Sequence, residues 1–121
     1  MKLLTKELLR KIPPLYSQEN VPDPVAQCKF FTPDSSWTWY VTEGSAVLQG
    51  DEDGERHIAL KDVRDWSDVL DVRFFGLVDG FEEELGYFLL SELQWVRGRL
   101  GLPIERDLYW RPQPLSKCRK R

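Results

Sequence analysis

His57 is the single histidine of the chain, and Cys28 and Cys118 are its two cysteines. A cysteine–histidine or serine–histidine dyad would therefore have to run through His57. That residue follows the acidic run Asp51-Glu52-Asp53, and no nucleophile is placed beside it by sequence. Cys28 alternates with Ala26 and Phe30 in a strand-like pattern, which predicts a small buried hydrophobe. A structural zinc site draws on four cysteine or histidine ligands, and the chain holds three such residues in all.

An EF-hand loop with Gly54 in sixth place would begin at Gln49 and end at Leu60. Neither side chain is the carboxylate those positions need. No glycine-rich phosphate loop of the nucleotide-binding kinds occurs. Glu43, Asp79 and Glu82-Glu83-Glu84 remain as carboxylates able to hold magnesium or share a proton, although such runs are usually solvated faces. The residues thus assign no catalytic, cofactor-binding or metal-ligating role.

Contact chemistry is better represented. Five tryptophans and four tyrosines occur in 121 residues, and these side chains give the large rigid area that binding sites use. Trp37, Trp39 and Val41 fall on one face of a strand; Thr38, Tyr40 and Thr42 fall on the other. Tyr40 and Tyr87 lie opposite clear apolar neighbours, so both are candidates for a binding surface. The competing reading is that a helix packs over them. Charge is also segregated: residues 43–84 hold 13 acids and 4 bases, whereas residues 97–121 hold 8 bases and 2 acids. That split fits solvated loops with a basic end, or two binding surfaces of opposite sign. Glu43 is the candidate for an acidic surface; Arg97, Arg99, Arg106 and Arg111 are the candidates for a basic one.

The elements that must position these side chains read as α+β. Thr5 can cap a helix over 5–12 that Pro13-Pro14 stops. Short alternating strands follow at 26–30, 37–42, 47–49 and 57–60, with Asp53-Gly54 marking a hairpin tip. Residues 72–78 are apolar on both faces, as in a central strand, and 86–90 returns as another. Ser91 with Gln94 forms a capping-box pattern for a second helix over 91–98. The expectation is an antiparallel meander of four to six strands carrying an N-terminal and a C-terminal helix. Residues 1–116 make one domain and 117–121 a frayed basic tail. Leu8, Phe30, Trp39, Phe74, Val78, Phe88, Leu93 and Val96 are the expected core. No apolar run reaches membrane-spanning length and no signal-peptide pattern opens the chain, which predicts a cytoplasmic protein that makes no membrane contact.

The blocks Trp37-Thr-Trp-Tyr-Val-Thr-Glu-Gly-Ser45 and Phe74 to Leu93, the latter containing Gly-Tyr-Phe-Leu-Leu-Ser-Glu-Leu, resemble the bacterial domain-of-unknown-function family 2958. The opening Met1 to Thr5 and the stretch Leu102 to Asp107 fit the same resemblance. It implies a small protein of plasmids and integrated mobile elements, and it brings no catalytic or cofactor residue with it. The expected role is a non-catalytic accessory protein of a mobile element that binds a macromolecule, a protein partner first. Three alternatives stand beside it: an acidic phosphate mimic that inhibits a host nucleic-acid-binding protein, a nucleic-acid binder using the basic C-terminal part, and a small metal-dependent enzyme using loop carboxylates. With a net charge of −3, nucleic-acid binding is expected to be weak or absent.

Overall fold

The structure, a computed structural model, describes residues 1–50 and 54–120. The expected hairpin tip at Asp51-Glu52-Asp53 and the terminal Arg121 lie outside the described residues.

Helix α1 spans Lys6–Lys11. Thr5 caps it as its sequence suggests, its hydroxyl oxygen accepting the Leu8 N–H at 3.2 Å. Strands β1 (Val25–Ala26), β2 (Cys28–Phe31), β3 (Thr38–Leu48), β4 (Arg56–Ala59), β5 (Val69–Asp79) and β6 (Glu83–Leu89) follow. Helix α2 (Leu90–Trp95), β7 (Glu105–Arg106) and β8 (Gln113–Pro114) complete the chain. Six strands form one antiparallel sheet in the order β6-β5-β3-β2-β7, with β4 also on β3; β1 and β8 pair separately. Two 11-residue strands, β3 and β5, are the spine. The length of β3 turns the expected meander into something more branched. One edge of β3 pairs along most of its length with β5, while the other is shared by β2 at Thr38–Val41 and β4 at Ser45–Leu48.

One face of the sheet carries the main core, including Phe30, Trp39, Val41, Phe74, Phe88 and Leu93. Leu8, Val78 and Val96, expected inside, are partly buried and pack against that core. The opposite face carries a smaller cluster of Ala26, Tyr40, Leu77, Leu115 and Cys118, with Trp110 against it. Ala26 does not share a face with Cys28 as strict alternation would have it. The chain breaks strand geometry at Gln27, whose N–H bonds the Val41 carbonyl at 2.8 Å.

Helix α2 differs from expectation at both ends. Its N-terminus is closed by the Glu92 carboxylate on the Leu89 N–H at 3.1 Å. Ser91 is inside the first turn, its N–H and hydroxyl both donating to Asp71 of β5. A carboxylate is the stronger acceptor, and it draws the serine away from capping. The helix stops at Trp95, and both Trp95 and Leu100 are 82% exposed. Beyond it the Asp34 carboxylate accepts the N–H groups of Leu100 and Leu102. It lies so near Gly98 that a Cβ there would sit 1.5 Å from its Oδ1.

The C-terminal end is docked rather than frayed through residue 120. Leu115 and Cys118 are buried, and the Lys120 N–H donates to Glu83 at 2.8 Å. Arg119 lies 3.8 Å from Glu83 and Lys120 3.7 Å from Asp79. The basic end thus folds back onto acids of the 43–84 stretch.

Candidate binding cleft

The face of the sheet opposite the main core is divided in two. One half is closed by the C-terminal segment. Trp110 lies across Tyr40 with ring centroids 5.5 Å apart, and its indole N–H donates to the Ala26 carbonyl at 3.0 Å. Lys29 places its ammonium 6.0 Å from the Tyr40 centroid and 5.9 Å from that of Trp110, with the Asp107 carboxylate at 3.8 Å. The covering element is therefore an irregular segment and not a helix. Tyr40, only 5% exposed, is no surface candidate; burial pushes its phenol above the ordinary value, with the nearby Cys118, Asp79, Glu83 and Asp107 adding to that.

The other half is an open cleft of about 1090 Å³. Its floor comes from β3, β5 and β6: Thr42, Glu43, Phe75, Leu85 and Tyr87. One wall is the loop at 16–24 and the other is the docked end at 115–120. A register shift between Val41 and Glu43 marks a bulge in β3, which leaves both Thr42 and Glu43 on the cleft floor. The Glu43 carboxylate, 3% exposed, accepts the N–H groups of Tyr16 at 3.1 Å and Gln18 at 2.7 Å. Ser45 accepts the Leu15 N–H at 2.9 Å. These bonds hold Tyr16 at φ 71°, a left-handed conformation that costs a bulky residue about 1–3 kcal/mol and persists where surrounding contacts over-determine it.

The strained turn sets the Tyr16 ring 6.3 Å from that of Tyr87, which is itself 4.9 Å from Phe75. Tyr16, Tyr87 and Leu85 remain 50%, 54% and 51% exposed. Partial burial, then Tyr16 and the Glu43 and Glu19 carboxylates, push the Tyr87 phenol above its ordinary value. The walls are tied to each other by Asp23, which accepts the N–H and hydroxyl of Ser116 at 2.9 and 2.6 Å. Those two bonds hold the Asp23 carboxyl below its usual range.

Of the sequence candidates, Glu43 and Tyr87 thus meet in the cleft. The four arginines stand on separate segments. Arg97 donates to the carbonyls of Gln94 and Val96 at the end of α2, and Arg99 follows it beside Trp37 and Trp39. Arg106 is in β7 and donates to the Lys2 carbonyl; Arg111 is exposed in the β7–β8 connection. Sequence reasoning missed Tyr16, Phe75 and Leu85. Tyr16 depends on a carboxylate 27 residues away, and no local pattern announces that.

His57 Nε2 lies 3.0 Å from an Arg73 guanidinium nitrogen, while Cys28 is in the main core with its thiol pushed up to about 12 by burial. Cys118 is likewise raised to about 11, mainly by burial. Among the described residues no three His, Cys, Asp or Glu side chains converge so as to hold a metal ion. No helix among them is long and apolar enough to cross a membrane.

Residues 66–120 match the family described as "Protein of unknown function (DUF2958)". That span contains β5, β6, α2 and the docked end, so it includes most of the cleft floor and one wall but not the 16–24 loop. The chain is also 30% identical over 87 residues to a large ribosomal subunit protein uL24m of Caenorhabditis elegans, and 30% identical over 88 residues to that of Caenorhabditis briggsae. Those matches cover 72% and 73% of this chain but 26% and 27% of the worm proteins. The chain thus spans about a quarter of the length of the curated relatives it matches. No solved structure matches it.

Proposed function

The chain belongs to the family described as protein of unknown function DUF2958, and we propose that it is a non-catalytic accessory protein of a mobile genetic element that works by holding a partner protein in the cleft. One observation carries this reading: half of a sheet face is left open between two braced walls, with Tyr16, Tyr87 and Leu85 each about half exposed on it. Contiguous exposed aromatic area of this kind marks recognition surfaces. The pairing of Arg119 and Lys120 with Glu83 and Asp79 argues against both single-sign alternatives. It neutralises part of the acidic stretch that a phosphate mimic would present and part of the basic end that a phosphate binder would use.

The test is a tagged capture from host cells with the parent chain and with Tyr87→Asp. The reading expects a protein retained by the parent and lost from the variant at unchanged circular dichroism. Retention that ignores Tyr87 would refute it.

A second reading, nucleic-acid binding, is favoured by the likeness to the two worm large ribosomal subunit proteins. A gel-shift titration with duplex DNA and with RNA decides it. We expect weak binding with a log–log salt slope of about −3 to −4, as about four phosphate contacts give. Sub-micromolar, salt-resistant binding would place this reading first.

A further inference from the structure

We infer that the Tyr16–Tyr87 end of the cleft accepts a lysine or arginine side chain of the partner polypeptide. This rests on the cleft being a protein-binding site, and it adds the chemistry of the anchor.

Two features converge there. The first is an aromatic corner: Tyr16 and Tyr87 at 6.3 Å with planes inclined by 58°, and Phe75 behind Tyr87 at 4.9 Å and 57°. Tyr16 and Tyr87 are each about half exposed in the cleft, and a cation near an aromatic face is attracted by the ring quadrupole. The second is Glu43. It is 3% exposed, lines the same cleft, and its partners are two backbone N–H groups. No lysine or arginine among the described residues forms an ion pair with it. Buried carboxylates are ordinarily matched by a cation; Glu43 has backbone donors instead, and the two cations on the facing wall, Arg119 and Lys120, pair with Glu83 and Asp79. Glu19 adds a second carboxylate on the loop wall.

The chain itself shows what such a corner takes. On the same sheet face Lys29 lies between Tyr40 and Trp110 and beside Asp107. That is two inclined aromatic rings, a carboxylate and a lysine. The cleft repeats the rings and the carboxylate on its open side. A cation from outside completes the same arrangement, and the open cleft leaves room for the extended chain that carries it.

The probe is a random 12-residue peptide library displayed on phage, selected on the parent chain and counter-selected on Tyr87→Ser, an exposed position whose fold is checked by circular dichroism. A selected peptide is then resynthesised with its basic residue replaced by norleucine, which keeps the aliphatic stem. The inference expects Tyr87-dependent peptides sharing a lysine or arginine at one register position. It expects a roughly ten-fold loss on the norleucine exchange, within the range of desolvated cation–π contacts, and a loss of several-fold with Glu43→Gln. Tyr87-dependent peptides with no common basic residue, or an unchanged affinity on norleucine exchange, would overturn the inference and leave the cleft as a protein-binding site. If no peptide depends on Tyr87, both readings fall.

Discussion

The two halves of one sheet face use similar side chains to opposite ends. Around Tyr40, the rings of Tyr40 and Trp110, the Asp107 carboxylate and Lys29 close on one another beneath the C-terminal segment. Around Tyr87, the rings of Tyr16, Tyr87 and Phe75 and the Glu43 carboxylate stay open between two walls. What differs is the backbone above them. Trp110 is carried over the sheet and pinned to the Ala26 carbonyl. The 16–24 loop is instead held beside the floor by Glu43, and Asp23 fixes how far the facing wall stands from it. Aromatic content alone therefore does not separate core from site. The anchoring of the covering segment does.

The largest effect is expected where both halves share a support. Phe74, fully buried on the reverse face of β5 and packed on Phe30 and Phe88, should cost about 3–5 kcal/mol on replacement by alanine. A urea midpoint that barely moves would mean that β5 is not the spine of both halves. Next come the two halves set against each other. Trp110→Ala removes a partly buried cover and should cost about 2–3 kcal/mol, below the full range for buried tryptophan. Tyr87→Ala, half exposed, should cost less than about 1 kcal/mol. Equal losses at the two positions would erase the distinction between a closed and an open half.

The thiols set the main core against the segment that closes the Tyr40 half. Both are raised by burial, Cys28 to about 12 and Cys118 to about 11, so at pH 8 the thiolate fraction of each is small in the folded protein. Cys28 is locked in the main core and opens only with the whole domain. Cys118 sits in the terminal segment, held by its neighbours Leu115 and Ser116, and can be released by undocking alone. Ellman's reagent should modify Cys118 at least several-fold faster than Cys28, and both rapidly in denaturant. A faster Cys28 would mean that the main core opens more readily than the docked terminal segment.

Legibility in the sequence followed how local each cause is. The Thr5 cap, the Pro13-Pro14 stop and the two-sided apolar run in β5 are written within a few residues, and each is found where it was expected. The Ser91 cap failed because Asp71, 20 residues earlier, competes for the serine. The face assignment of Ala26 failed because one residue, Gln27, breaks the strand geometry. For Tyr40 the sequence leaves surface and covered face both open, because the covering Trp110 lies 70 residues further along the chain. In the cleft, Glu43 and Tyr87 were visible as a charge and an exposed ring, but the left-handed turn that delivers Tyr16 was not. Charge segregation was legible as composition. Its outcome, Arg119 and Lys120 folded onto Glu83 and Asp79, is a matter of tertiary structure.

The smallest expected effect bears most directly on whether the two halves are chemically equivalent. Lys29→Met keeps the aliphatic stem that packs beside Tyr40 and deletes only the charge. Its ion pair with Asp107 is long at 3.8 Å, and both side chains are about one-quarter exposed. That pair is worth at most about 1 kcal/mol, and the two ring contacts near 6 Å contribute about 0.5–1 kcal/mol at partly wetted sites. The expected loss is therefore about 1 kcal/mol, measured by urea unfolding. The loss should survive raised salt better than an ion pair alone would, because ring contacts are less screened than exposed charges. If Lys29→Met is neutral, an aromatic corner with a carboxylate holds a cation weakly in this protein, even when the lysine is tethered in place. The parallel drawn for Tyr16, Tyr87 and Glu43 would then lose its internal precedent. If the loss is near 1 kcal/mol and resists salt, the filled half calibrates what the open half can offer to a partner's lysine or arginine.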